Sequence, residues 1–265
     1  MSSHHSSDRS NALPTIAAYM NPDFLNRTDP WVEAKTRGFH MVEIPGCHFD
    51  PFDEANSATD LAVAVRDNGL SARWHCSPGF NQQFGSEDSS LRLANLDRMR
   101  RELDWVHEMG WNMFILHSGR GETADERIRA RESLRELNET AKPLGISLLL
   151  ENGSSRFNGD PDELIATCEA VPGLGITFDC SHAHRSVFCK EGRGSVADHL
   201  DLVRPYVRSF QFNDFDGSTN CAVGRGELPW DQLMPMAIDL DCEVWAIEVA
   251  TIEETIDTRD FLDSW

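Results

Sequence analysis

The chain has 265 residues, 40% of them hydrophobic, and a formal net charge of −20. The length suits one large domain, and a single α/β barrel typically takes about 250 residues. The acidic balance disfavours nucleic acid, whose phosphates require a cationic footprint, and no apolar run is long enough for a membrane span.

Residues 1–14, MSSHHSSDRSNALP, are polar and lack the apolar segment of a signal peptide. They read as a mobile tail ahead of one domain over 15–265, and His4 and His5 within it are too few for a metal site. Strand-like apolar runs follow at 16–20, 40–44, 71–77, 112–118, 146–152, 174–180, 207–213 and 243–249. Helical spacing lies between them, and its longest stretches cover 90–110 and 123–144. Asp160-Pro161 pairs an N-cap with proline at the first helical position. Gly69, Gly110 and Gly145 stand where helix ends favour glycine. Eight β/α alternations predict a parallel sheet, and its closed form is a single (β/α)₈ barrel. Seven cysteines, an odd number without a CxxC pair, read as reduced thiols of a cytoplasmic protein.

Strand parity carries the functional argument, because successive side chains point to opposite faces. In the last four runs one face carries Ser147/Leu149/Glu151, Gly175/Thr177/Asp179, Val207/Ser209/Gln211 and Val244/Ala246/Glu248. The other face carries Leu148/Leu150, Ile176/Phe178, Phe210/Phe212 and Trp245/Ile247. The bulkier apolar set is expected under the helices. The smaller set points inward, and each run ends in a functional group. In a barrel these ends share the C-terminal rim, where active sites of this architecture lie.

Glu151, Asp179, Gln211 and Glu248 form an oxygen-rich set suited to a hard divalent cation such as Mn²⁺ or Mg²⁺. A cation that chelates a carbonyl and its neighbouring hydroxyl acidifies the adjacent C–H. Carboxylates on either side can remove and return that proton through a metal-stabilised enediolate. His75, His117 and His182 also lie at strand ends. His182 and His117 are expected to orient substrate, with His75 beside them. Glu43 on the second strand is either a hydroxyl-binding residue or a plain rim carboxylate. Arg120, Arg156, Arg185 and Arg225 follow rim strands as anion contacts or, for most, surface salt bridges. Cys180 has the wrong parity for a nucleophile at the barrel mouth. Trp230 is expected to pack the loop after the seventh strand.

These residues resemble the xylose isomerase-like TIM-barrel superfamily, which includes sugar isomerases and epimerases, hydroxypyruvate isomerase, inosose dehydratase and endonuclease IV. Leu150-Glu151-Asn152 is similar to its strand-five glutamate, Phe178-Asp179-Cys180-Ser181-His182 to its D-x-x-H segment, and Glu248 to its strand-eight glutamate. Gly224-Arg225-Gly226-Glu227-Leu228-Pro229-Trp230 is similar to its G-x-G-x-h-x-W loop. The resemblance implies metal ligands at Glu151, Asp179, Gln211 and Glu248, with Glu151 and Glu248 also the acid/base pair and His182 against substrate. The family commonly has histidine where Gln211 stands. Glutamine there is similar to hydroxypyruvate isomerase and shifts the expected metal towards Mn²⁺ or Mg²⁺, with Co²⁺ or Zn²⁺ as alternatives.

The expected activity is isomerisation or epimerisation of a small sugar or hydroxy-carbonyl compound, with no nucleic-acid or membrane partner. Homo-oligomerisation is a family expectation. Three alternatives stay open: a dehydratase of inosose or dehydroshikimate type, an endonuclease IV-like nuclease, and a non-catalytic sugar-binding barrel. The nuclease needs a D-x-H pair after the seventh strand, and no histidine follows His199.

Overall fold

Eight parallel strands close on themselves, each hydrogen-bonded to its two neighbours. They are β1 (Thr15–Tyr19), β2 (Met41–Pro45), β3 (Ser71–His75), β4 (Met113–Leu116), β5 (Ser147–Glu151), β6 (Gly175–Asp179), β7 (Val207–Phe212) and β8 (Val244–Ile247). Pairing of β1 with β8 joins the ends of the chain's domain and completes the barrel. This computed structural model describes residues 13–52, 58–76, 83–119 and 121–265. Residues 1–12 of the expected tail, and Arg120, lie outside them.

The architecture is the (β/α)₈ barrel that the alternation predicts. Differences fall at strand ends. β3 and β4 stop at His75 and Leu116, and β8 stops at Ile247. His117 and Glu248 therefore stand one residue past their strands, and Glu248 N still donates to Phe212 O of β7 at 3.0 Å. The first run, weakly patterned in sequence, forms a regular strand.

The long helices occupy Ser89–Glu108 and Ala124–Ala141. Asp88 caps the first by accepting from Ser90 N at 2.8 Å. Thr123 and Glu126 form a reciprocal capping box on the second. The expected extension to Leu144 is a 3₁₀ turn, Lys142–Leu144. Pro143 has no N–H to continue the α-helical ladder. Asp160 caps Pro161–Ala170, as its Asp-Pro start predicts. Gly145 ends its turn at φ 72°, a region that costs a glycine nothing.

The outward residues of β5–β8 pack into one large apolar layer beneath the helices. Ala17, Met113, Val244 and Ala246, with Met41 against them, form a smaller apolar cluster of their own. One parity expectation fails. Val207 belongs to the large outer cluster. The β6–β7 register shifts between Ile176 and Thr177, so Val207 pairs with Ile176 while Ser209 pairs with Thr177. One extra residue on β7 flips the face. Ser209 and Gln211, beyond the shift, keep the inward parity.

Two charged residues are wholly buried between the strands, Glu43 on β2 and Arg73 on β3, each 0% exposed. After β7 the chain makes a short antiparallel ribbon, Asp214–Phe215 against Asn220–Cys221. The buried Asp214 carboxylate accepts from Gly224 N at 3.0 Å, Leu228 N at 3.0 Å and Trp230 Nε1 at 2.8 Å. One carboxylate thus folds the glycine-rich loop over Trp230, which packs it as expected.

Candidate active site

The strand ends bring Glu151, His75, His117, His182, Glu248 and Tyr19 to the wall of one cavity of about 270 Å³ at the C-terminal mouth of the barrel. Glu151 is the hub. His75 Nε2 lies 2.9 Å from its Oε2, His117 Nε2 3.8 Å from the same oxygen, and His182 Nδ1 3.0 Å from Oε1. The His75 contact is not aligned as a hydrogen bond, and Oε2 has no hydrogen-bond partner among the described residues. His75 Nε2 and His117 Nε2 face each other at 3.0 Å, so one must carry the shared proton.

Asp179 and Gln211 lie deeper, next to each other in the β6–β7 register. Asp179 also serves as a helix cap. Its Oδ1 accepts from His182 N at 2.6 Å and from Ser181 Oγ at 3.1 Å, and its Oδ2 accepts from Asn213 Nδ2 at 2.6 Å. This cap starts the short helix Cys180–His184 and aims the His182 ring at Glu151. Asn152 clamps the ends of β5 and β6 together. It accepts from Asp179 N at 2.6 Å and donates to Asp179 O at 2.9 Å. Gln211 Nε2 donates to Glu43 Oε1 at 3.0 Å, while Gln211 Oε1 is buried with no hydrogen-bond partner among the described residues.

Electrostatics divide the site. Burial would raise Glu151, but His117, His75 and His182 outweigh it and hold the carboxyl well below its usual range. Burial pushes Glu248 well above that range, and the Glu151 charge adds to the effect. In the metal-free chain the two glutamates are therefore pushed in opposite directions. Burial disfavours charge on His75, but Glu151 and Glu43 outweigh it and hold the imidazolium well above the usual range. Burial disfavours charge on His182 as well, but Asp179 and Glu151 raise it to about 10. Burial pushes His117 down to about 4, with the His75 and His182 charges adding to it, so His117 is neutral. Burial and the nearby Glu248 also raise Tyr19, whose hydroxyl stays protonated.

A divalent cation suits this donor set. Gln211 Oε1 and Glu248 Oε2 are buried oxygens with no hydrogen-bond partner among the described residues, and Glu151 Oε2 has only its unaligned contacts with His75 and His117. Such atoms are costly unless a ligand satisfies them. Glu151, Asp179 and His182 also present ligand atoms within 4.8 Å of one another. So do His75, His117 and Glu151, and so do Glu43, His75 and Glu248.

A family model for the xylose isomerase-like TIM barrel matches residues 31–265. The chain belongs to that family. Among solved structures that this xylose isomerase-like barrel resembles is an L-ribulose 3-epimerase, with a TM-score of 0.76 at 15% identity, covering 96% of this chain and 95% of that one. A xylose isomerase-like TIM barrel protein from Mycobacterium smegmatis, in complex with magnesium, aligns with a TM-score of 0.71 at 17% identity, covering 96% and 97%. An AP endonuclease, family 2, from Brucella melitensis aligns with a TM-score of 0.74 at 17% identity, covering 96% and 99%. At these identities the likeness is one of fold.

Within this family barrel, strand-end parity brings Glu151, Glu248, His75, His117 and His182 to the cavity wall; Asp179 stands within ligand distance of Glu151 and His182, and Gln211 is its neighbour in the β6–β7 register. Parity does not bring Glu43 to the cavity wall, because Glu43 is held beneath it by Arg73, His75 and Gln211. Three rim arginines are engaged elsewhere. Arg156 pairs with Asp160 and Glu191, and Arg225 with Asp257. Arg185 bonds Ser181 and Asn220 and lies over the Phe215 ring. Cys180 is fully buried, and burial with Asp179 beside it pushes its thiol far up, leaving an inert group. Tyr19, Arg73, Asn152 and Asn213 were not singled out from the sequence. Arg73 had a readable signal, since it shares the parity of His75. Tyr19 lay in the weakest strand pattern, and the two asparagines look like ordinary loop residues.

Proposed function

We propose that this barrel is a divalent-cation-dependent isomerase or epimerase of a small sugar or hydroxy-carbonyl compound. The observation that carries the reading is the pair Glu151 and Glu248. They share one cavity wall, their surroundings push the two carboxyls in opposite directions while no cation is bound, and each holds a buried oxygen with no hydrogen-bond partner among the described residues. Glu151, Asp179, Gln211 and Glu248 would hold the cation, foremost Mn²⁺ or Mg²⁺ given their oxygen donors. When bound, it would polarise a substrate carbonyl and bring the Glu248 carboxyl down by its charge.

The residues of the chain divide the remaining work. Glu151, ionised, accepts a proton from the carbon beside the carbonyl, and Glu248 on the other side delivers or receives one. His182 Nδ1 hydrogen-bonds the Asn152 carbonyl at 3.0 Å and ion-pairs with Glu151 Oε1, which leaves its other ring edge for a substrate oxygen. His117, neutral, accepts the His75 Nε2 proton at its own Nε2 and keeps an Nδ1–H to donate to a substrate oxygen. His75 is charged between Glu43 and Glu151 and fixes the wall behind the reacting carbon. The solved epimerase of the same fold supports a sugar as substrate.

The test is proton exchange. The Mn²⁺-loaded protein is incubated in D₂O with a panel of ketopentoses and ketohexoses, and deuterium at the carbons beside the carbonyl is read by NMR. Stereospecific incorporation with formation of an isomer or epimer is expected. Loss of water from the substrate would assign a dehydratase instead, and no exchange on any sugar would defeat the reading.

One observation favours a second reading. His75, His117 and Glu151 converge as a possible second cation seat beside the first, which suits a multi-metal phosphodiester nuclease on the same fold. The −20 charge and the absence of a D-x-H pair after β7 weigh against it. Two or three zinc ions per chain would favour it.

A further inference from the structure

Glu43 is the most heavily engaged group of the barrel interior. Its Oε1 accepts from His75 Nδ1 at 2.8 Å and from Gln211 Nε2 at 3.0 Å. Its Oε2 accepts from Arg73 Nε at 2.6 Å and ion-pairs with a second nitrogen of the same guanidinium. A carboxylate offers about four acceptor sites; three carry hydrogen bonds and the last faces the Arg73 guanidinium in an ion pair. No site is left for a substrate hydroxyl, and Glu43 is 0% exposed.

We propose that Glu43 and Arg73 are positioning residues for the cation seat: together they turn the Gln211 amide so that its oxygen, not its nitrogen, is the free donor atom. The inference rests on the divalent-cation reading above. A carboxylate only accepts, so the Gln211 atom facing Glu43 must be the NH₂ nitrogen. The reversed amide would set one oxygen acceptor against another in a buried place. It would also offer a cation an NH₂ group, which has no lone pair to give a hard metal. The correct face is visible as a buried oxygen, Gln211 Oε1, with no partner among the described residues.

Arg73 completes the device. It is buried, grips Glu43 from β3, and donates through Nη1 to Ser209 Oγ, two residues before Gln211 on β7. The guanidinium thus bridges the barrel interior from β2 to the strand that carries the ligand. Glutamine at this position works as an oxygen ligand because a fixed anion stands on its other side.

Mn²⁺ affinity by titration calorimetry tests this in a mutant cycle. The four proteins are the wild type, Glu43→Gln/Arg73→Met, Gln211→Ala, and all three substitutions together. Removing both Glu43 and Arg73 leaves no unpaired charge between them. Outer residues that orient metal ligands typically shift affinity 10–100-fold. The double variant is expected to bind Mn²⁺ about tenfold more weakly when Gln211 is present, and to cause no further loss when it is alanine. Equal losses in both backgrounds, or none in either, would overturn the inference and leave the cation reading standing. A wild type that binds no Mn²⁺ would overturn both. If the double variant does not fold by circular dichroism, the wild type decides. Its Gln211 side-chain ¹⁵N–¹H signals, assigned by their absence in Gln211→Ala, are expected to be protected from solvent exchange. Rapid exchange would overturn the inference.

Discussion

On the β2–β3 side of the barrel, Glu43 accepts three hydrogen bonds and ion-pairs with Arg73, while on the β5–β8 side Gln211 and Glu248 each keep a buried oxygen with no hydrogen-bond partner among the described residues. A polar atom buried in either place costs free energy unless it is paired. The first side is paired within the chain and behaves as scaffold. The second is left incomplete, and an incomplete set of hard oxygens is what a cation and a substrate can complete. Glu151 stands between the two, bordered by His75 of the scaffold side and His182 of the open side. Paired charge therefore marks support, and unpaired buried oxygen marks the place where chemistry is expected.

The largest expected effect comes from the open side. Glu248→Gln keeps the shape and removes the proton-transfer group. Exchange of substrate protons with D₂O should fall by about 10²–10⁴-fold, the usual worth of a positioned acid or base, with the thermal midpoint nearly unchanged. Wild-type exchange in this variant would remove Glu248 from the reaction.

The scaffold side should answer in stability instead. Arg73→Met leaves Glu43 buried without its main counter-charge and should cost about 3–5 kcal/mol in urea unfolding. Restoring neutrality with Glu43→Gln/Arg73→Met should recover part of that loss. A single variant as stable as the wild type would contradict the scaffold assignment.

A third effect sharpens the comparison through a histidine outside the site. His199 is fully buried, with its ring against the edges of Phe178 and Phe188 and neither nitrogen hydrogen-bonded among the described residues. Burial pushes it down to about 4, so it folds neutral. In the unfolded chain a histidine titrates near pH 6.5. Between these values the unfolded state binds more protons, so stability rises with pH. The contribution is complete above about pH 6.5 and is lost as pH falls towards 4, by on the order of 3 kcal/mol. His199→Leu should flatten that acid limb of the urea-stability profile; an unchanged slope would exclude His199 as its source.

The smallest expected stability change is at Asp179, which belongs to both classes. Asp179→Ala removes the cap of the Cys180–His184 helix and should cost about 1 kcal/mol. It should also lower the metal content, because Asp179 is both cap and expected ligand. Unchanged metal stoichiometry would leave Asp179 as a cap alone.

Much of this was legible in the sequence because strand geometry is periodic. Alternation with a functional group at each strand end is enough to bring Glu151, Asp179, Gln211 and Glu248 to one rim. The features that escaped are those that periodicity cannot carry. The shift at Val207 comes from the extra residue that β7 carries against β6, a pairing between two distant segments. Glu43 stood on the right strand and face, but its depth below the rim, and so its role, depends on an arginine reaching it from β3. Asn152 and Asn213 act through contacts with Asp179 that only the folded backbone creates.

The most direct test of the central claim is elemental analysis of the purified protein beside a Glu151→Gln/Glu248→Gln variant. About one Mn, Mg or Co per chain in the wild type, lost in the variant, is the expected result. No metal in the wild type even after incubation with Mn²⁺, or equal metal in both proteins, would contradict it.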